Sequence, residues 1–122
     1  GQEDSDHILA GITILAAEDN ELNAEILLEL LNMSNVVCDL VSNGQELVEA
    51  FEKSEPGQYD LILTDIQMPV MNGYDAARAI RAGSHTRGKV IPIVAMTANA
   101  FAEDVKEAMD AGMDAHVAKR LT

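Results

Sequence analysis

Apolar and polar residues alternate along this chain in blocks whose lengths are typical of strands and helices. Five short runs are rich in β-branched or other apolar residues and read as strands: residues 12–16, 36–41, 60–64, 90–96 and 114–118. Between these runs lie longer segments in which apolar residues recur every three or four positions, as on one face of a helix. The pattern therefore predicts a chain that alternates between strand and helix.

Capping residues and glycines mark the ends of four predicted helices. The first follows Asp19 or Asn20, either of which is a suitable N-cap. The other three are predicted to start after residues 42–44, to run from near Gly73 to about residue 83, and to span residues 99–111. Helices of these lengths between consecutive strands imply right-handed crossovers and a parallel sheet.

The distribution of polar residues among the strands predicts their order. Strands one, three and four are almost continuously apolar, which is typical of the interior of a parallel sheet. Strands two and five carry polar residues, such as Asp39 in strand two, and are expected at the edges. The predicted fold is α/β and doubly wound, with a flavodoxin-like, five-stranded parallel sheet in the order 2-1-3-4-5.

Length and composition place the chain among single-domain proteins. Its 122 residues are enough for one domain, predicted to occupy residues 11–122 after a flexible N-terminal extension of residues 1–10. No apolar run approaches the ~20 residues of a membrane-spanning helix, and no secretory signal opens the chain, which predicts a soluble chain in the cytoplasm. The lone Cys38 excludes an internal disulfide and is expected to fill space in strand two.

Net charge narrows the possible partners. Asp and Glu number 21 against 8 Lys and Arg, and the formal charge of −13 repels the phosphates of nucleic acids and of anionic membranes. Neither nucleic acid nor a membrane is therefore an expected partner of this domain. The acids either form a solvated surface that keeps the chain soluble or gather a cation, and their placement distinguishes these two interpretations.

Chemically competent side chains follow the ends of four predicted strands. Glu18 and Asp19 follow strand one, Asp65 follows strand three, Thr97 follows strand four and Lys119 follows strand five. Ligands of such sheets bind beyond the carboxyl ends of the strands, where strand order reverses. Each residue alone has an ordinary explanation, as a helix cap or a surface lysine, but parallel strands would bring all five to one edge of the sheet.

The predicted cluster suits phosphoryl transfer. Three adjacent carboxylates repel one another, which opposes folding unless a cation neutralises them. Oxygen ligands at a partly open site favour a hard ion such as Mg²⁺. A metal, a central carboxylate, a hydroxyl and a lysine are together what phosphoryl transfer to an aspartate requires, because that chemistry consists mainly of alignment and charge neutralisation.

Four segments carry a resemblance to a known family: EDNELN, LTDIQMPVMNGYDA, AMTANA and HVAK. Together they resemble the CheY-like receiver domain of two-component response regulators, most closely the receivers of hybrid histidine kinases, over residues 12–121. The resemblance implies a phosphorylatable signalling domain, not an enzyme in the usual sense. It also implies a larger parent protein, a hybrid histidine kinase, that could be membrane-anchored while this domain is cytoplasmic. The implied partner of the domain is a histidine kinase or a histidine phosphotransfer domain, whose phosphohistidine supplies the phosphoryl group in a phosphorelay.

The resemblance also implies roles for individual residues. Asp65 would be the phosphoacceptor, and Mg²⁺ would be held by Glu18, Asp19, Asp65 and the backbone carbonyl of Gln67. Thr97 would be the switch hydroxyl, assisted by the backbone N–H of Ala98, and Lys119 would pair with Asp65 and then with a phosphoryl oxygen. His116 occupies the position of a rotamer switch, although it equally suits an edge-strand histidine that covers the sheet.

Two features depart from the family pattern. Arg120 stands where the family has a proline after the lysine, usually joined by a cis bond, so we expect a trans bond and an altered loop around Lys119. The sequence stops at Thr122, where the family continues into a fifth helix. We therefore expect apolar sheet surface beside helix one that lowers stability, mediates dimerisation, or is covered by another chain or the N-terminal extension.

Three alternatives stay open at this point. An aspartate-nucleophile phosphohydrolase would need a second acid two residues after the nucleophile, where Gln67 stands. A receiver-like binding module that is never phosphorylated is disfavoured by the intact acidic triad, whereas Arg120 and the missing fifth helix keep it open. Failure to bind Mg²⁺ would favour this alternative. A nucleotide-binding flavodoxin relative is disfavoured because no Gly-rich phosphate loop follows strand one.

Overall fold

A computed structural model describes residues 11–97 and 102–118 of the chain. Five strands are found: β1 (Thr13–Ala17), β2 (Val37–Val41), β3 (Leu61–Asp65), β4 (Ile93–Thr97) and β5 (Ala115–Ala118). Four helices connect them in turn: α1 (Glu21–Met33), α2 (Gly44–Lys53), α3 (Gly73–Ala82) and α4 (Ala102–Asp110). The predicted N-terminal extension, Ala98, Lys119 and Arg120 lie outside the described residues.

All five strands pair in parallel in the order β2-β1-β3-β4-β5. This confirms the predicted α/β fold and its strand order, with the interrupted strands at the two edges. Within the described part of the chain no helix follows β5, and none of the helices is long and apolar enough to cross a membrane. Because the strands are parallel, their carboxyl ends all lie at one edge of the sheet.

Strand β4 is shorter than predicted. The apolar run from residue 90 suggested a strand, but the structure begins it at Ile93. The N–H groups of Val90 and Ile91 both donate to the Arg87 carbonyl, at 3.1 and 2.9 Å, and so close a turn instead of joining a ladder. Pro92, which has no N–H to donate, accepts a hydrogen bond from the Ile62 N–H through its carbonyl at 2.9 Å.

Helices cover both faces of the sheet with apolar side chains. On one face, α2, α3 and α4 pack over the central strands, and Leu47, Phe51 and Ile80 are almost fully buried there. On the other face, Leu27 of α1 packs against the sheet beside Met96. The two cores hold the strands in the register that brings their ends together.

An apolar side chain is exposed on edge strand β5, on the face of the sheet that α1 covers. Met96 of β4, which is 3% exposed, pairs in register with Val117 of β5, which is 46% exposed. The wider apolar surface expected beside helix one stays a prediction. Dimerisation through this surface stays a prediction.

Edge strand β2 accommodates its aspartate through one hydrogen bond. The Tyr59 hydroxyl donates to Oδ2 of Asp39 at 2.7 Å, and burial together with this acceptor raises the pKa of Tyr59 to about 12. Burial also raises the pKa of the neighbouring Cys38 thiol to about 11. A thiol with so high a pKa is mostly protonated at neutral pH, in agreement with the predicted space-filling role of Cys38.

Candidate functional site

Three polar side chains are buried where the central strands end. Asp65 is the last residue of β3 and Thr97 the last of β4, while Glu18 directly follows β1. Their exposed fractions are only 6%, 8% and 2% respectively. Buried acids are costly unless charged or polar partners compensate them, so this concentration of burial and charge marks the edge as the candidate site.

Asp19 is the third carboxylate of this group, and it does not cap α1. The N-cap is Asn20, whose side chain accepts a hydrogen bond from the Asn23 N–H at 3.0 Å. Carboxylate oxygens of Glu18, Asp19 and Asp65 all lie within 4.8 Å of one another. Asp19 is exposed whereas the other two are buried, so the cluster opens to solvent on the side of α1.

Local hydrogen bonds fix the two buried carboxylates. The Glu18 N–H donates to the Val41 carbonyl at the end of β2 at 3.1 Å, and Glu18 Oε1 accepts from the Asn20 N–H at 3.1 Å. Asp65 Oδ1 accepts from the Ile66 N–H at 2.8 Å. Both side chains are thereby oriented by backbone groups next to the strand ends.

The donor set of the cluster fits a hard divalent cation. Three carboxylates supply oxygen ligands only, and the negative charges would repel one another strongly at this separation. Mg²⁺ binds such sets through one or two carboxylates and keeps coordination positions for water or phosphate oxygens. The site can therefore gather a cation beside a carboxylate that is able to act as a nucleophile.

Gly73 allows the loop after β3 to return closely to the strand end. The Gly73 N–H donates to the Ile66 carbonyl at 2.8 Å. A Cβ at position 73 would overlap the Asp65 carbonyl oxygen and come within 3.0 Å of the Ile66 Cα. Only glycine therefore permits α3 to begin this close to the candidate nucleophile, which gives a physical reason for the glycine at this position.

Val70 forms a strained turn in the same loop. Its φ is 70°, and the Met71 N–H donates to the Pro69 carbonyl at 2.7 Å across it. A β-branched residue at positive φ is a backbone outlier that costs roughly 1–3 kcal/mol. The valine is 79% exposed, so packing contributes little in return.

Replacing Val70 with asparagine is expected to stabilise the fold by about 1 kcal/mol, because asparagine tolerates positive φ. Chemical denaturation of both proteins measures this difference. Val90→Asn is the matched control, since Val90 is also exposed, at 62%, but does not have positive φ. That control is expected to change the free energy of unfolding by no more than about 0.5 kcal/mol. Equal effects at both positions would contradict the strained turn.

Two further predicted site residues, Gln67 and His116, lie in the part of the chain that the structure describes. Gln67 is exposed in the loop after β3. His116 is exposed on β5, where it lines a groove with Val105 and Met109 of α4. Both interpretations of His116, a rotamer switch or a residue that covers the sheet, stay open. Lys119 lies outside the described residues.

The sequence indicates no role for Val70 and places Gly44 only at the start of a helix. Neither side chain carries a reactive or metal-binding group that would mark it as a site residue. Only the structure shows the positive φ of Val70 and the close backbone contacts of Gly44. In the sequence, their nearest signals are a preceding proline and the end of a strand.

A family model provides the first comparison with known proteins. The model for the response regulator receiver domain matches residues 14–122. Those limits include every described strand except the first residue of β1. The match therefore covers all but one residue of the sheet, together with the candidate site.

Curated relatives are histidine kinases many times longer than this chain. Hybrid signal transduction histidine kinase G of Dictyostelium discoideum is 41% identical over 112 residues, which is 90% of this chain and 3% of that protein. The peroxide stress-activated histidine kinase mak1 of Schizosaccharomyces pombe is 37% identical over 93% of this chain and 7% of that protein. The aerobic respiration control sensor ArcB of Escherichia coli is 35% identical over 98% of the chain and 15% of that protein. The chain thus spans only a small part of the relatives it matches.

Solved structures show the same fold. The receiver domain of sensor histidine kinase PA1611 from Pseudomonas aeruginosa, solved with a magnesium ion coordinated in its active site cleft, is 38% identical with a TM-score of 0.80 and covers 91% of this chain and 87% of that one. A co-crystal structure of the Saccharomyces cerevisiae phosphotransfer protein Ypd1 and the Ssk1 receiver domain gives 29% identity, a TM-score of 0.80, and coverage of 93% and 82%. From the family match, the relatives and the shared fold, we conclude that this chain belongs to the family of response regulator receiver domains.

Proposed function

We propose that this chain is the phosphoacceptor of a phosphorelay and that Asp65 accepts the phosphoryl group. The observation that carries the proposal is the close approach of Glu18, Asp19 and Asp65, whose carboxylate oxygens lie within 4.8 Å of one another at the end of the sheet. A nucleophilic carboxylate beside a cation site meets the main requirements of phosphoryl transfer, alignment and charge neutralisation.

Mg²⁺ is the proposed cofactor, held by Glu18, Asp19, Asp65 and the backbone carbonyl of Gln67. When bound, this ion would neutralise charge on the oxygens of the transferring phosphoryl group. The magnesium ion in the related receiver domain from Pseudomonas aeruginosa supports this choice of metal. The oxygen-only donor set of the present chain supports it independently.

In the proposed transfer, a carboxylate oxygen of Asp65 attacks the phosphorus of a phosphohistidine. The new O–P bond forms as the N–P bond of the donor breaks, and the imidazole leaves with the electron pair and takes up a proton. The Ile66 N–H, at 2.8 Å from Asp65 Oδ1, orients the carboxylate for this attack. Lys119 is proposed to pair first with Asp65 and afterwards with a phosphoryl oxygen.

Phosphorylation is proposed to act as a conformational switch. The Thr97 hydroxyl, assisted by the backbone N–H of Ala98, would turn toward the phosphoryl group, and His116 would change its rotamer. The surface of α4, β4 and β5 would then exist in two states with different affinities for an output partner. This makes the chain a signalling domain and not an enzyme in the usual sense.

The proposed phosphoryl donor is a histidine kinase or a histidine phosphotransfer domain. The structure that contains both Ypd1 and the Ssk1 receiver domain supports a partner of this class. The histidine kinases among the relatives support a hybrid kinase as the parent protein and a cytoplasmic location for this domain. The charge of −13 argues against nucleic acid and anionic membranes as partners.

Intact mass measurement with a small acyl phosphate tests the proposal. The chain is incubated with acetyl phosphate, with and without Mg²⁺, beside Asp65→Asn and the control Asp75→Asn, which alters an exposed aspartate in the first turn of α3. We expect one labile phosphoryl adduct on the unmodified chain and on the control, only with Mg²⁺, and none on Asp65→Asn. An adduct on Asp65→Asn, or none on the unmodified chain, would contradict the proposal. Steady hydrolysis of a phosphate ester would instead favour a phosphohydrolase.

A further inference from the structure

The loop of residues 66–72, which follows β3, is held in place by a hydrogen bond from helix α2. A first hydrogen bond, from the Gly73 N–H to the Ile66 carbonyl, brings the two ends of the loop together. A second hydrogen bond comes from the first residue of α2, where the Gly44 N–H donates to the Met71 carbonyl at 3.0 Å. Residues far apart in sequence thus meet beside the candidate site.

The contact between α2 and this loop leaves no room for a side chain at position 44. Gly44 is buried, and a Cβ there would overlap the Met71 carbonyl oxygen. It would also come within 2.9 Å of the Met71 carbonyl carbon and 3.0 Å of the Asn72 carbonyl oxygen. All three are backbone atoms, which a change of rotamer cannot move away. A larger residue would therefore force α2 and the loop apart.

The hydrogen bond from α2 is made to the strained part of the loop. Met71 follows Val70, whose φ is 70°, and accepts the bond from Gly44 directly after that turn. A strained backbone persists only where the surrounding structure determines it strongly. The partly buried side chains of Met68 and Met71 pack against the core that includes residues of α2 and α3, and so contribute to the same restraint. Gln67, whose carbonyl is a proposed metal ligand, lies within this restrained loop.

We infer that Gly44 is a positioning residue for phosphoryl transfer: the first turn of α2 holds the loop of residues 66–72 so that Asp65 and Gln67 keep the geometry needed to bind Mg²⁺. This inference rests on the proposed function. It extends the site to a residue that touches neither the metal nor the phosphoryl group. Displacing the outer end of the loop would disturb the site through the loop backbone.

Gly44→Ala, compared with Gly88→Ala, tests this inference. The two substitutions are matched, because Gly88 is also buried and a Cβ there would meet the Ile80 carbonyl oxygen at 2.5 Å. Gly88 lies before β4, at the opposite edge of the sheet from the site. Both variants should unfold at lower temperature than the unmodified chain. At a temperature where both are folded, only Gly44→Ala should weaken Mg²⁺ binding and slow phosphorylation, each on the order of tenfold.

Amide hydrogen exchange on the unmodified chain provides a test that needs no variant to fold. Loading with Mg²⁺ should slow exchange of the Gly44 amide severalfold, since the loop that accepts its hydrogen bond becomes fixed by the metal site. The Gly88 amide, which donates to the His85 carbonyl at 3.0 Å, should exchange at the same rate with and without Mg²⁺.

The outcomes separate this inference from the proposed function. If the unmodified chain binds no Mg²⁺, the proposed function is overturned and the positioning role with it. If the chain binds Mg²⁺ and is phosphorylated, but Gly44→Ala matches Gly88→Ala, only the positioning role is overturned. If Gly44→Ala does not fold, the hydrogen exchange experiment decides: a Gly44 amide that exchanges at the same rate with and without Mg²⁺ overturns the positioning role.

Discussion

Replacing Asp19 with asparagine should weaken Mg²⁺ binding on the order of 100-fold while making the metal-free protein more stable. Both effects have one cause, the close approach of Asp19 to the carboxylates of Glu18 and Asp65. In the presence of Mg²⁺, the substitution removes one of the negative charges that attract the ion. In its absence, the same substitution relieves repulsion among the three acids.

Calorimetry measures both effects of Asp19→Asn, by Mg²⁺ titration and by thermal unfolding without divalent ions; the chain has no tryptophan to serve as a fluorescent probe. Glu29→Gln is the matched control, because it removes one exposed negative charge from α1 away from the cluster. The control should leave Mg²⁺ affinity nearly unchanged. Equal affinities for the Asp19 variant and the unmodified chain would show that Asp19 is not part of the metal site.

Replacing Arg81 with alanine should lower the free energy of unfolding by about 3 kcal/mol. The Arg81 guanidinium donates to the carbonyls of Gly112, Gly88 and Ile91 at 2.9, 3.0 and 2.7 Å. It also pairs with Oδ2 of Asp114 at 2.8 Å. One side chain thus joins the end of α3 to the segments that lead into β4 and β5.

Several groups lose their partner together when Arg81 is removed. Asp114 Oδ2 also accepts from the Ile93 N–H at 2.9 Å, so the start of β4 is part of the same network. The Arg81 side chain is only 19% exposed, and water cannot fully replace a partly buried guanidinium that satisfies three carbonyls. The loss should therefore exceed that of a surface ion pair.

Arg78→Ala is the control for Arg81→Ala. Arg78 lies nearly one turn earlier in α3 and pairs with Asp75 at 3.0 Å, but both side chains are largely exposed, at 48% and 58%. Exposed pairs of this kind contribute at most about 1 kcal/mol, so urea denaturation should show a small change for Arg78→Ala and a large one for Arg81→Ala. Similar losses for the two variants would contradict the role assigned to Arg81.

The strand order could be predicted from the sequence because interior and edge strands differ in how many polar residues they contain. Continuous apolar runs separated the interior strands from the edge strand that contains Asp39, and helical spacing between them left one topology. The site followed from topology, since parallel strands bring Glu18, Asp65 and Thr97 to one edge. The choice between Asp19 and Asn20 as the cap required the structure, because both residue types cap helices equally well.

Features that depend on backbone hydrogen bonding were not predictable. Residues 90–92 have the composition of a strand, yet hydrogen bonds to the Arg87 carbonyl form a turn there. The hydrophobic pattern of the sequence gives no sign of these hydrogen bonds. Arg81 looks like any surface arginine of an amphipathic helix, and its carbonyl partners have no sequence signal. The turn at Val70 breaks the usual preference of valine for negative φ, and only contacts with the rest of the fold explain how it persists.

The most direct test of the central claim is to locate the phosphoryl group. After reaction with a small acyl phosphate and Mg²⁺, borohydride reduction converts a phosphorylated aspartate to homoserine, which peptide mass mapping assigns to a single position. We predict homoserine at position 65 alone, and none when Mg²⁺ is replaced by a chelator. Homoserine at another aspartate such as Asp19, 5-hydroxynorvaline at Glu18, or no reduced residue at all would contradict this claim.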